Sequence, residues 1–203
     1  NCNVSFFAVS SMDEATFLRS HLPEGNILIL GYVRPGHLPD AIAHNITVTI
    51  PSLEYARQME DCAGLHVHIK VDTGMNRLGC RSVEEIRNVY SLLTEKGCII
   101  DGIFSHYTSS DCDRQQTLRQ QETFRNMVKE LPYTFRYVHM DNTDGAIDYP
   151  DNFTNAVLIG LGVYGVSTTR PLHPVLSFYT RVAMCKKVEA NQTISYSCTY
   201  TTT

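Results

Sequence analysis

What most constrains this chain is an alternation: short apolar runs rich in β-branched and aromatic residues, most of them followed by a segment whose apolar positions repeat at helical spacing. Val4 to Val9 is such a run, and Ser11-Met12-Asp13-Glu14 after it places a serine and a carboxylate at the spacing of a helix-capping box. Ile27 to Leu30 ends at Gly31. Ile46 to Thr49 leads through Ser52 to Leu53, Ala56 and Met59, which share one helical face. His66 to Val71 precedes Ser82-Val83-Glu84-Glu85, which caps a helix with Val83, Ile86, Val89, Tyr90 and Leu93 on one side and Gly97 as its stop. Ile99 to Phe104 predicts a strand, Arg114 to Leu131 a long helix, Phe135 to Met140 another strand, and Ala156 to Val163 the last of the series.

Strands separated by amphipathic helices require parallel pairing through right-handed crossovers, which leaves a doubly wound sheet or a (β/α)8 barrel. No glycine-rich phosphate loop follows the first strand, so the nucleotide-binding sheet is disfavoured and an α/β barrel is expected. After Pro174 the texture changes. Val175 to Val182 and Ile194 to Thr203 are rich in Thr, Tyr, Val and Ser without helical period, predicting that a barrel domain over 1–170 gives way to the start of a β-rich domain over 171–203.

Composition narrows the partners. The 203 residues are 43% hydrophobic and 19% charged with a net charge of -4, and Lys and Arg do not cluster with aromatics, so neither nucleic acid nor an anionic membrane surface is expected as a partner. The apolar runs are too short to span a bilayer, and Asn1 to Arg19 reads as folded sequence with no leader, which together predict a cytoplasmic location for this segment. Seven cysteines without any C-x-x-C pair read as reduced thiols rather than metal ligands, and no metal is expected.

In a parallel barrel the reactive groups belong at the carboxyl ends of the strands, where the loops converge on one mouth. Polar residues that end apolar runs are therefore the candidates: Lys70, Asp72 and Arg77 after one strand, His106 after the next, Asn142 and Thr143 after another, and Gly160 to Gly165 at the last. Their recurrence at equivalent positions matters more than any one of them, because folding alone does not require it.

The run Lys70-Val71-Asp72-Thr73-Gly74-Met75-Asn76-Arg77-Leu78-Gly79 resembles the hallmark of the alanine racemase family, enzymes that use pyridoxal 5'-phosphate in a fold-type III barrel. Further matches extend along the chain: Phe7-Ala8-Val9, Gly102-Ile103-Phe104-Ser105-His106, Gln121 with Phe124, Asn142-Thr143, Gly160 to Gly165, and Ser195-Tyr196 with Thr199-Tyr200-Thr201. Ile29-Leu30-Gly31-Tyr32 also looks like the serine/alanine racemases associated with glycopeptide resistance.

The resemblance implies a homodimer, a barrel that here lacks its first strand-helix unit, and a second β domain that completes the partner's site. It implies a small amino-acid substrate, L-alanine or serine, converted to its D form for cell-wall precursors such as those of peptidoglycan. Arg77 would hold the substrate carboxylate, and Lys70 would be the lysine that some members carry as a carbamate. His106 would lie against the cofactor ring, with Asn142 beside it. Thr143, in place of the usual serine, and the backbone N–H groups of Gly160 and Leu161 would hold the phosphate. Arg77, His106, Thr143 and Gly160 are thus expected around a common cavity.

The two bases that remove and return the Cα proton in the family, the cofactor-bearing lysine and a tyrosine, are expected outside these residues, so the chain alone is predicted to be inactive. One departure stands out. The family usually reads V-R-x-G in the last barrel strand, facing the cofactor's pyridine nitrogen, whereas this chain reads Val157-Leu158-Ile159-Gly160. That substitution keeps two alternatives open: a catalytically silent cofactor-binding relative, and another fold-type III enzyme such as a decarboxylase.

Overall fold

The computed structural model describes residues 4–203, so Cys2 and the first residues of the expected N-terminal segment lie outside the described residues. The chain forms two compact units that divide between His173 and Pro174.

In the first unit seven strands alternate with helices: β1 (Phe6–Val9), α1 (Met12–His21), β2 (Asn26–Ile29), α2 (Leu38–Ala43), β3 (Thr47–Ile50), α3 (Leu53–Gln58), β4 (His66–Lys70), α4 (Val83–Glu95), β5 (Ile99–Phe104), α5 (Arg114–Lys129), β6 (Tyr137–Asp141), α6 (Thr143–Asp148) and β7 (Ala156–Val157). The strands pair in chain order, every pair parallel, as short right-handed crossovers demand. Serines read as caps act as caps: Ser11, Ser52 and Ser82 accept the N–H of Glu14, Tyr55 and Glu85 at 3.3, 3.1 and 3.1 Å.

The sheet is strongly curled. Five strand spacings separate β1 from β6, about 24 Å in a flat sheet. Yet the rings of Phe6 on β1 and Tyr137 on β6 lie 4.9 Å apart, and Phe6 lies 5.7 Å from His68 on β4. Only a rolled sheet brings those side chains together, so the unit is a (β/α) barrel of the TIM type with seven strands among the described residues, β1 and β7 forming its edges.

Strand alternation then gives two layers. Ile29, Val48, Ile50, Val67, Ile69 and Ile103 face the helices and pack with Ala15, Ile86, Val89, Leu93 and Phe124 in the main core, each of the side chains larger than alanine worth roughly 1.5–3 kcal/mol of burial. The inward layer is aromatic and polar: His68, Phe104, Tyr137 and His139. In β5 the register against β4 slips, Val67 facing Ile100 and His68 facing Gly102, so Asp101 is bulged out to meet His66 Nδ1 at 2.5 Å.

Some local expectations change. The strand expected over Ala156 to Val163 is only Ala156–Val157, after which the chain bends into a 3-10 turn over Leu161–Tyr164 that ends at Gly165 with φ 74°. The aliphatic residues there suggested a strand, but glycine at 160, 162 and 165 permits the bend. Helices α2 and α6 are six residues each, too short for their apolar spacing to show. In the second unit, Pro174–Thr203, the only strands are β8 (Thr193–Ile194) and β9 (Tyr200–Thr201), antiparallel with Ile194 opposite Tyr200. The stretch from Val175 to Val182 is not a strand, since it has no pairing partner within its unit. No described helix is long and apolar enough to cross a membrane.

Candidate functional site

Because all seven strands run the same way, their carboxyl ends share one rim, and a cavity of about 450 Å³ opens there. It is lined by both edge strands, through Phe7 and Ala8 on one side and Ala156 and Val157 on the other, with Leu158 just beyond. His106, Asn142, Thr143, Gly160 and Leu161 all contribute to its wall. The Thr143 hydroxyl accepts the N–H of Gly162 at 2.9 Å, which ties the turn after β7 to the start of α6. A Cβ at position 162 would stand 2.9 Å from Thr143 Cγ2, so that close approach requires glycine, whereas nothing lies within 4 Å of a Cβ position at Gly160. Asn142 caps α6 by accepting the N–H of Gly145 at 2.9 Å and receives the Ser110 hydroxyl at 2.7 Å.

Arg77 stands in the wall of a second hollow, of about 490 Å³, with Tyr32, Tyr55 and Asp72. The loop that carries it is closed on itself. Cys80 N–H donates to the Lys70 carbonyl at 2.8 Å and Asp72 N–H to the Cys80 carbonyl at 2.9 Å, while Asp72 Oδ1 accepts from the N–H groups of Gly74 and Asn76 at 2.9 and 3.0 Å. At Gly79, φ is 129° and a Cβ would meet Asp72 N at 2.5 Å, so the glycine of the hallmark run is a geometric necessity. Gln120, buried on α5, locks this loop to the next: its Nε2 donates to Thr73 Oγ1 and to the His106 carbonyl, both at 3.2 Å, and its Oε1 accepts from Thr108 N and Oγ1 at 2.9 Å.

Burial and neighbouring cations act on the titratable groups beside the cavity. His106 is pushed down to about 4, by burial first and then by the charges of Lys70 and Arg77, so its imidazole is uncharged at neutral pH. Lys70 falls from 10.5 to about 7, again by burial first and then by Arg77, with Asp72 opposing. Its Nζ sits 4.2 Å over the centre of the Phe104 ring.

The structure therefore brings His106, Asn142, Thr143, Gly160 and Leu161 to one cavity and sets Arg77 in the adjoining loop, near enough that its charge acts on both His106 and Lys70. Lys70, at the end of β4, sets its Nζ over the Phe104 ring. Sequence reasoning missed Gln120, His68 and His139. The last lines the cavity, and its Nε2 lies 3.1 Å from His68 Nδ1. The available signal was strand alternation, since His66-Val67-His68-Ile69-Lys70 sets polar groups on every second residue, all toward one face.

Residues 1–168 match the family model described as alanine racemase, N-terminal domain. The alanine racemase of Streptococcus uberis is 38% identical over 210 residues, which cover 98% of this chain and 57% of that protein. Among solved structures, the alanine racemase of Clostridium difficile 630 superposes with a TM-score of 0.82 at 28% identity, over 99% of this chain and 57% of that one. A histidine racemase from Leuconostoc mesenteroides superposes with a TM-score of 0.80 at 25% identity, over 98% of this chain and 58% of that one. The chain thus spans a little over half the length of the proteins it matches.

Proposed function

Since the chain belongs to the alanine racemase family, we propose that it supplies the cofactor-binding barrel of an enzyme that interconverts L- and D-alanine with pyridoxal 5'-phosphate. The observation that supports this reading most is the convergence of His106, Asn142, Thr143, Gly160 and Leu161, from three strand ends, on one cavity. Its volume of about 450 Å³ suits a small ring bearing a phosphate. The donor set fits too. A hydroxyl at Thr143 and backbone N–H groups at Gly160 and Leu161 can surround an anion without burying a counter-charge, and the open space at Gly160 lets an anion approach the backbone.

When bound, the cofactor supplies a conjugated, electron-poor ring that takes up the electron pair left behind as the Cα proton departs. The chain's own residues do the holding. Thr143, Gly160 and Leu161 anchor the phosphate, with Asn142 fixing the loop from which Thr143 projects. His106, neutral through burial, offers a flat uncharged face rather than a competing cation. Arg77 orients the substrate carboxylate by paired hydrogen bonds from a planar guanidinium.

In this reading the neutral amine of Lys70 adds to the carbon of carbon dioxide, forming an N–C bond as one C=O π pair moves onto oxygen, and the proton lost from the nitrogen goes to solvent. Depression to about 7 leaves a large neutral fraction, the form that can add to it, and a carbamate would replace the Lys70–Arg77 repulsion by attraction. The assembly is a homodimer and the segment works in the cytoplasm. Serine remains within reach of the same chemistry.

The aliphatic Leu158 in the cavity wall favours one second reading, a cofactor-binding relative without turnover. One experiment separates them: titrate the intact protein with pyridoxal 5'-phosphate by absorbance, then follow loss of the Cα proton signal of L-alanine in deuterated water by NMR. Binding with exchange is the expected outcome. Binding without exchange favours the silent relative, and absence of binding rejects both.

A further inference from the structure

We propose that His68 and His139 form a fixed two-imidazole chain that makes His139 a hydrogen-bond donor to an acceptor atom on the ring of the bound ligand. His68 is on β4 and His139 on β6, with β5 between them. Their Nδ1 and Nε2 atoms are nevertheless 3.1 Å apart. Gly102 on β5 makes this possible, because a Cβ there would stand 2.6 Å from His68 Cε1 and 2.7 Å from both its ring nitrogens. The bulge at Asp101 is what brings Gly102 opposite His68.

The remaining nitrogen of His68, Nε2, is fully buried and has no partner. Around it stand the rings of Phe6, Tyr137 and Phe104, 5.6 to 6.3 Å from the imidazole centre. Orphaned N–H donors are rarer in protein interiors than under-used acceptors, so the bare lone pair belongs on this atom and the proton on Nδ1. His68 therefore donates to His139 Nε2, and a neutral His139 must carry its own proton on Nδ1. Both rings are neutral: burial leads in depressing each, His68 to about 4 against a weak pull from Asp101, and His139 well below 6.5 with help from His68, Lys70 and His106.

His139 lines the cavity, stacks on Phe104 at 4.6 Å and 11°, and its Nδ1 has no protein acceptor among the described residues. Of the other acceptors in the wall, Asn142 Oδ1 already takes Gly145 N–H and the Ser110 hydroxyl, Thr143 Oγ1 takes Gly162 N–H, and Asp144 Oδ1 takes the Ser167 and Thr169 hydroxyls, while Val157, Leu158 and Ile159 have apolar side chains. A planar heteroaromatic ring with an acceptor nitrogen or oxygen is the ligand that such a wall selects. The inference rests on the cofactor reading for the identity of that ring, but the tautomers stand on this structure alone.

Nitrogen-15 NMR of histidine-labelled intact protein without cofactor should show His139 protonated at Nδ1 and His68 at Nδ1. The reverse assignment, with His68 protonated at Nε2, overturns the chain. His68→Phe, which leaves the cavity wall intact, should release His139 into a mixture of tautomers; a retained single Nδ1 tautomer would show that His68 does not set it. With His139→Phe, which keeps the stack on Phe104, pyridoxal 5'-phosphate should bind about tenfold more weakly and with a shifted absorption maximum. Unchanged affinity and spectrum in that variant overturn the donor role. Failure of the unsubstituted protein to bind the cofactor would instead reject the cofactor reading and the ligand half of this inference, leaving the tautomers to be decided by NMR.

Discussion

The polar residues inside the barrel make its stability depend on pH with a definite sign. His106 has a folded value near 4 against an ordinary 6.5, so as pH falls below 6.5 the unfolded chain takes up the proton first and folding is opposed. The stability associated with neutral His106 is complete above 6.5 and lost progressively toward 4, at about 1.4 kcal/mol for each unit of depression. His68 acts in the same window and direction. Lys70, folded near 7 against 10.5, opposes folding at neutral pH and relents as pH rises through that interval. Thermal melts of the intact protein between pH 6.5 and 4 should therefore show a steep fall in midpoint, and His106→Gln should flatten it. An equally steep profile in the variant would mean that His106 is charged in the folded state.

At the scale of elements, the return loop from β4 is the most tightly specified piece of the site. Gly79 combines a φ of 129° with a backbone nitrogen 2.5 Å from any added Cβ, so Gly79→Ala should remove about 2 kcal/mol or more of stability in urea titration. Gly36→Ala, where nothing lies within 4 Å and φ is ordinary, should change it by less than about 0.5 kcal/mol. A neutral result at Gly79 would mean that the Asp72–Cys80 closure does not hold the Arg77 loop. Such pieces were legible in the sequence because their signals are local. The cap at Ser82, the spacing of α4 and the run Ile99–Phe104 translate directly into elements, and polar residues ending apolar runs mark the rim. The end of the last strand is not legible in the sequence because Gly162 answers to Thr143, nineteen residues away. Gln120 is indistinguishable in sequence from Gln115, Gln116 and Gln121; only the packing of α5 against two loops selects it. His68 and His139 sit within apolar runs, and their pairing exists only once the sheet has rolled.

For the molecule as a whole, the same roll that creates the cavity leaves it dependent on what lies along its edges. Between β1 and β7, each paired on one side only among the described residues, the sheet offers open backbone donors and acceptors. Next to β7 the side chains of Val157, Leu161, Val163 and Tyr164 are 55 to 63% exposed. In the second unit Leu176, Phe178 and Tyr179 are 77 to 92% exposed. Unpaired strand edges beside exposed apolar groups favour association with any chain that can add a strand or cover the surface. The 203 residues expressed alone should consequently self-associate with rising concentration in sedimentation velocity and bind anilinonaphthalene sulfonate strongly. A monomer that melts in one cooperative step without binding the dye would show that the helix-facing core, from Ala15 through Phe124, is sufficient by itself to hold the rolled sheet closed.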